Sequence, residues 1–206
     1  MSRAETLKSP WKSGRDRAAE REEKRNAVLH VAAVTFAEKG YHGTSLDEIA
    51  ARLGVTKPTI YYYAPNKDEL VIAVAERALH QIIDATEGDQ RASGLIQLQH
   101  LMRRYAETMT TDEGRCLAVM RGSRINGVIN DKLRDYVARI DRRMRELVER
   151  GVADGSIAPC DTKLTAFMIA GAINEIGRWY DAAGPLNGQL VAEKFVNQLT
   201  AGLATR

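Results

Sequence analysis

Residues 44–67 read TSLDEIAARLGVTKPTIYYYAPNK, and their pattern decides the fold. Leu46, Ile49, Ala50 and Leu53 recur at i, i+3, i+4 and i+7, which is one face of a helix. Ser45 followed by Glu48 is a capping-box start, and Gly54 supplies the positive φ that a helix end commonly needs. Val55 plugs the corner. Thr56 is placed to cap a second helix with Pro58 in its first turn, where a missing N–H costs little. Ile60 and Tyr63 give that helix a narrow inward side and leave Lys57, Pro58, Thr59, Tyr61 and Tyr62 outward. Two short helices, a glycine turn and this burial pattern make a helix-turn-helix.

The outward face suits a DNA major groove, where hydroxyl, methyl and cationic groups reach base edges or phosphates. The candidate DNA-binding residues are Ser45, Thr56, Lys57, Pro58, Thr59, Tyr61, Tyr62 and Lys67. Lys57, Thr59 and Tyr61 are expected to read or flank bases. Tyr62, Lys67 and the Ser45 hydroxyl are expected to position phosphates, with Lys67 sharing one at a helix N-terminus. The plain alternative is that the helices and the tyrosine run are ordinary packing in an all-α protein.

The stretch TSLDEIAARLGVTKPTIYYYAPNKDEL resembles the DNA-binding domain of the tetracycline-repressor (TetR) family of bacterial regulators. The preceding VLHVAAVTFAEKGYHGT resembles the family's first helix and its ending. The resemblance is dense over residues 25–75. Pro58 stands where many members carry Gly, and Ala64 replaces a common Phe. The family implies a dimer whose fourth helix connects a reading head to a regulatory body. The string RWYDAAGPL, residues 178–186, resembles the end of helix eight in a branch that senses acyl-CoA thioesters in lipid and steroid breakdown.

The chain has 206 residues, 44% of them apolar, enough for one or two domains with a real core. Helix formers dominate, no sustained two-residue alternation is present, and prolines number five, so the fold class is all-α. The formal charge of +3 does not by itself argue for nucleic acid. Its distribution says more, since residues 1–25 carry eight Lys/Arg against five Asp/Glu.

Residues 1–17 read as a flexible basic arm in which Arg3, Lys8, Lys12, Arg15 and Arg17 either track phosphates or are simply solvated. Residues 18–65 are expected to form the DNA-binding domain, and 66–206 a ligand-binding and dimerisation bundle. The first helix is expected from Ala18 to about Lys39, buried along Val28, Val31, Ala32, Thr35 and Phe36 and ended by Gly40. Lys24 and Arg25 lie early in it. Asn66 with Glu69 caps a helix reaching about Asp84.

Further helices are expected over 94–108, 116–124 after Gly114, and 131–150 closed by Gly151. Asp161 or Thr162 begins a broadly apolar helix ended by Gly184-Pro185, and Asn187 caps a last one running through Leu203. These last two carry more apolar surface than one neighbour needs, so they are expected to pair with their copies in a homodimer. A thick monomeric core is the alternative. A dimer would hold two heads about 34–36 Å apart, matching successive major grooves of a pseudo-palindromic operator.

The body offers Met102, Tyr105, Met120, Arg121, Phe167 and Trp179 as candidate ligand-binding residues for an apolar small-molecule effector, acyl-CoA among them. The same residues also serve as plain core. Arg103, Arg104, Arg121 and Arg124 are the candidates for acyl-CoA phosphates. Cys116 and Cys160 form no pair motif, and the four histidines have no metal spacing, so no metal or cofactor is expected. No nucleophile or nucleotide-loop motif appears, which argues against an enzyme. The N-terminus is polar and no apolar run approaches membrane length, so a cytoplasmic protein without membrane contact is expected. The expected function is a ligand-released repressor, with a DNA-binding activator and a DNA-independent interaction module as alternatives.

Overall fold

The computed structural model describes residues 17–85, 91–122 and 127–205. Among them the order is α1(Arg17–Gly43), α2(Leu46–Leu53), α3(Lys57–Tyr63), α4(Lys67–Asp84), α5(Gly94–Met109), α6(Asp112–Gly122), α7(Gly127–Ala153), α8(Thr162–Trp179) and α9(Gly188–Thr200). Among the described residues the one extended contact is a bridge between Ile157 and Ala204, beside which the Ala158 N–H reaches the Leu203 carbonyl at 2.9 Å. The expected arm falls outside the described residues, except that Arg17 opens α1.

Helix α1 buries Val28, Val31, Ala32, Thr35 and Phe36, as its spacing requires. Its regular part stops at Gly40, whose φ of 71° any side chain would resist. The chain then turns so that Tyr41 stacks beside Phe36, ring centroids 6.3 Å apart. At Gly54, φ is 66°, and its N–H and that of Val55 close onto Ala51 and Ala50 carbonyls. The α2–α3 turn is thereby locked by backbone alone.

The body packs α5 and α7 against each other at a very close approach. A Cβ at Gly94 would stand 2.2 Å from the Gly151 nitrogen, and one at Gly151 would stand 2.5 Å from Ile157. Gly151 therefore lies inside α7, which runs on to Ala153, rather than closing the helix. Likewise Gly114 belongs to α6, which starts at Asp112, and a Cβ there would stand 2.0 Å from the Thr108 carbonyl oxygen, leaving no room for a side chain. Helix α7 begins at Gly127, ahead of the expected start at 131. Helix α8 ends at Trp179, short of Gly184-Pro185, because Tyr180 turns to an extended conformation with its ring buried. Helix α9 stops at Thr200, before Leu203, as the chain turns back toward the bridge.

Capping follows the sequence in most places. Ser45, Asn66, Ser93, Asp161 and Asn187 each accept a bond from the backbone N–H three residues on. The reciprocal half of the expected boxes is diverted. Glu48 pairs with Lys39 at 2.5 Å, and Glu69 reaches across to Lys132 on α7 at 2.6 Å.

Head and body are joined along α1, α4 and α6. Arg77 on α4 donates to Asn26 Oδ1 of α1 at 3.2 Å and pairs with Glu113 of α6 at 3.6 Å. Burial, with the Glu113 charge beside it, pushes the Cys116 thiol of α6 far above its usual range, so it is an inert core group.

Candidate nucleic-acid interface and effector cavity

Helix α3 is held by one anchor. Ile60 is fully buried, while Tyr61 and Tyr62 beside it are exposed, Tyr62 to 64%. Thr56 and Pro58 are exposed, and Lys57 and Thr59 partly so. Thr56 occupies the N-cap position, but its hydroxyl bonds the Thr59 hydroxyl at 3.1 Å and caps no backbone N–H. The expected side-chain cap is corrected accordingly: the residue that Thr56 prefers is the next hydroxyl on the same outer face. Two hydroxyls bonded to each other keep one donor hydrogen and spare lone pairs for a third group.

Lys57 pairs with Asp47 at 2.8 Å on the surface, a contact worth little in water and easily exchanged. Ser45 is exposed, and its oxygen accepts the Glu48 N–H at 3.2 Å, leaving its hydrogen to donate. Lys67, expected to share a phosphate, is engaged within the fold. Its Nζ donates to the Tyr41 and Thr44 carbonyls at 2.9 and 3.0 Å and lies 4.2 Å from the Tyr41 ring centroid. The physical reason is the end of α1: the Tyr41 carbonyl there accepts a long bond from the Thr44 N–H, 3.4 Å, and an ammonium with three donors ties it and the Thr44 carbonyl to α4. Tyr41 in turn donates to the Asp68 carboxylate. Partial burial, with Asp68 accepting its proton, pushes the Tyr41 phenol up to about 12.

Beside α3, the start of α1 forms an open groove of about 830 Å³, with Arg21, Lys24, Arg25, Tyr62 and Tyr63 on its walls. The Arg21 guanidinium lies 5.4 Å from the Tyr62 ring centroid, and Lys24 pairs with Glu20 at 2.5 Å. Arg21 escaped the sequence reading, although its place on the same charged turn as Lys24 and Arg25 is a signal that could have found it.

The body holds a second surface feature, a cavity of about 440 Å³ between α7 and α8. Leu79 of α4, Tyr105 of α5 and Leu117 of α6 form its floor, all buried. Leu133, Val137, Ile140 and Met144 of α7 form one wall, and Phe167, Ala170 and Asn174 of α8 the other. Inside it, Tyr105 donates to Asn174 Oδ1 at 2.7 Å. Arg134 and Asp141 stand at the rim. The walls are mostly apolar, one polar pair faces inward, and the opening carries charge, a combination suited to an amphipathic small molecule.

Comparison with known proteins gives this arrangement a family. The family model described as the tetracyclin repressor-like C-terminal domain matches residues 92–203, and that of bacterial regulatory proteins of the tetR family matches residues 28–74. The chain belongs to the tetR family. It is 31% identical over 156 residues to the HTH-type transcriptional regulator RutR of Escherichia coli K12, covering 71% of this chain and 70% of RutR. It is 25% identical over 196 residues to the HTH-type transcriptional repressor KstR2 of Mycolicibacterium smegmatis, covering 87% and 90%. Its fold matches AibR, crystallised with isovaleryl coenzyme A and operator DNA, at a TM-score of 0.72 and 23% identity over 84% of this chain and 96% of AibR.

For a tetR-family body, the cavity gathers only part of the expected ligand set. Tyr105 and Phe167 line it. Met102 and Met120 are buried outside its walls as core, and Cys116 lies 3.8 Å from the Met120 sulfur. Trp179 is half exposed and stacks on Phe195 of α9, centroids 5.8 Å apart, away from the cavity. The side chains of Arg121 and Arg124 lie outside the described residues. Arg103 and Arg104 stand exposed on α5, with Arg104 on Glu107, and the guanidinium at the rim is Arg134 instead. Asn174 was missed, yet a lone amide amid Ile169, Ile173 and Ile176 is a legible signal of an inward polar partner.

Among the described residues, no group of three His, Cys, Asp or Glu could hold a metal, and no helix is long and apolar enough to cross a membrane.

Proposed function

We propose that this chain is a homodimeric repressor that binds a pseudo-palindromic operator through α3 and is released by an apolar or amphipathic effector bound between α7 and α8. The observation that carries the DNA half is the contrast within three consecutive residues: Ile60 buried, Tyr61 and Tyr62 in solvent. A helix anchored by Ile60, with Tyr63 packed partly against the core and the rest turned outward, is shaped for a groove. Lys57, Thr59 and Tyr61 read or flank bases, with Thr56 and Pro58 completing the first turn against the groove edge. Ser45 and Tyr62 donate to phosphates. Lys67 acts at one remove, fixing α4 to the head so that the other donors keep their spacing.

The cavity supports an acyl thioester or another chain with an apolar body and an anionic end, and AibR is a fold neighbour bound to such a thioester. Effector release works by selection between conformers. An effector that binds better to the conformer with ill-spaced heads lowers operator affinity by the ratio of its two affinities. We take residues 18–65 as the reading domain and 66–206 as the effector and dimer domain, in a cytoplasmic protein whose role is binding rather than catalysis.

Selection of genomic fragments by the purified dimer, followed by release with a metabolite panel, tests this reading. Recovery of two-fold-related half-sites one helical turn or a multiple apart, released by acyl thioesters, is the expected result. Enrichment of no duplex above background would overturn the reading, and a fall in transcription on deleting the gene would make it an activator.

A further inference from the structure

The cavity between α7 and α8 is apolar except at its rim and at one interior pair. Leu79, Leu117, Ile140 and Met144 line it as buried side chains. Tyr105, 5% exposed, donates to Asn174 Oδ1 at 2.7 Å, and Asn174 is half-buried on the α8 wall. Arg134, exposed, and Asp141 stand farther out. Exposure therefore rises from hydrocarbon, through one amide, to charge.

The bond from Tyr105 decides which way that amide faces. The hydroxyl proton occupies Oδ1, so the two N–H donors of Nδ2 point away from Tyr105, and among the described residues no protein group accepts from them. The nitrogen is not sealed in either. Among the described residues the buried side-chain atom left without a partner is Arg145 Nε, so Asn174 Nδ2 is open to the cavity. On α8 the amide stands beside Ala170 and Ile173, where a leucine would complete an apolar wall. A polar group placed there costs free energy unless something accepts its hydrogens. Water does so in the empty cavity. A ligand that expels the water must replace its bonds or lose affinity.

We infer that Asn174, aimed by Tyr105, is the residue with which the cavity selects an acyl carbonyl. Its Nδ2 donates to the carbonyl oxygen of a thioester whose hydrocarbon chain lies toward Leu79 and Leu117 and whose anionic end leaves past Arg134. Asn174 is the contact residue and Tyr105 a positioning residue. A chain of the same length without that oxygen leaves the amide unpaired and is disfavoured. This inference rests on the cavity being the effector site, and it names the group of the effector that the site reads.

Decanoyl-coenzyme A and S-decyl-coenzyme A differ only in that carbonyl, which the thioether replaces by a methylene. Both serve as probes in calorimetric titrations of the full-length wild type and of its Asn174→Leu and Tyr105→Phe variants. The wild type is expected to bind decanoyl-coenzyme A about tenfold more tightly than the thioether. Asn174→Leu should bind the two alike, losing affinity for decanoyl-coenzyme A while holding S-decyl-coenzyme A at least as well as the wild type does. Damage to the fold would weaken both probes together. Tyr105→Phe, with the amide present but unaimed, should keep a preference of about threefold. Equal binding of the two probes by the wild type would overturn this inference, reduce Asn174 to an acceptor for the Tyr105 hydroxyl and leave the effector reading intact. A tenfold preference surviving in Asn174→Leu would overturn it as well. Failure of the wild type to bind either probe would overturn the acyl-effector reading, and this inference with it. Should the variants fail to fold, the wild-type comparison alone decides.

Discussion

Helix α3 and the cavity between α7 and α8 are built in opposite ways. Helix α3 is seven residues long, its outer face comes from one stretch of chain, and one buried side chain, Ile60, orients it. The cavity takes its walls from α4, α5, α6, α7 and α8, and its shape depends on how far glycines let those helices approach. A local surface is specified by local sequence, whereas a cavity is a remainder left by packing. The first tolerates change anywhere but its anchor. The second is sensitive to residues that never touch a ligand.

The sharpest way to break that contrast is to remove the anchor. Ile60→Asp buries an unpaired charge at a fully enclosed position and is expected to cost about 4 kcal/mol or more locally. Operator binding should vanish and hydrogen exchange should rise over residues 44–63, while exchange in α5 stays as in the wild type. Equal loss of protection in α5 would mean that head and body are one cooperative unit.

Gly94→Ala is the matching change in the body. Its Cβ would meet the Gly151 backbone, so α5 and α7 must separate, at an expected cost of about 3 kcal/mol in a denaturant titration. Affinity for isovaleryl-coenzyme A should fall, since Tyr105 and the α7 wall move apart, while the operator affinity of the folded fraction changes little.

Lys67→Met should come next, at about 2 kcal/mol of stability, because two carbonyls at the end of α1 lose a charged donor. It should weaken operator binding to a similar degree on every sequence, as a positioning residue does. Retention of full stability would show that the strap is idle.

The smallest effect is on pH, and it separates the regions by sign. Tyr41, near the head, holds its proton more tightly folded than unfolded, with a pKa raised from 10.0 to about 12. The stability it contributes is present below pH 10 and is lost as pH rises toward 12. Asp154, whose carboxylate accepts the Gly94 N–H at 2.7 Å, is depressed below 3.8, chiefly by its bond from Ser156 and then by backbone N–H groups. Its contribution is present above the usual carboxylate value and is lost as pH falls through its lower folded value. Tyr41→Phe should therefore flatten the alkaline limb of the stability profile, and Asp154→Asn the acid limb. Each is read by thermal melts across pH.

The same contrast explains what the sequence made legible. Ser45, Gly54, Ile60 and the exposure of Tyr61 and Tyr62 follow from spacing within twenty residues, and the structure places them accordingly. Lys67 did not follow, because its partners are carbonyls 23 and 26 residues earlier, and no side-chain pattern announces a carbonyl in need of a donor. In the body, Tyr105 and Phe167 were found by residue type alone. The same rule also offered Met102, Met120 and Trp179, which pack elsewhere. Two glycines were misread, and for one reason. Gly114 and Gly151 looked like helix ends but are points of close approach, and that distinction exists only once a second helix is in place.

The most direct test of the central claim is a binding series on an operator selected from genomic fragments, comparing wild type with Thr59→Ala and with Tyr61→Ala, Tyr62→Ala. The account predicts that the tyrosine pair loses at least about 2 kcal/mol of operator affinity with unchanged melting, and that Thr59→Ala shifts preference at one position of each half-site by about 1–2 kcal/mol. Operator affinity and preference identical to wild type in both variants would contradict it.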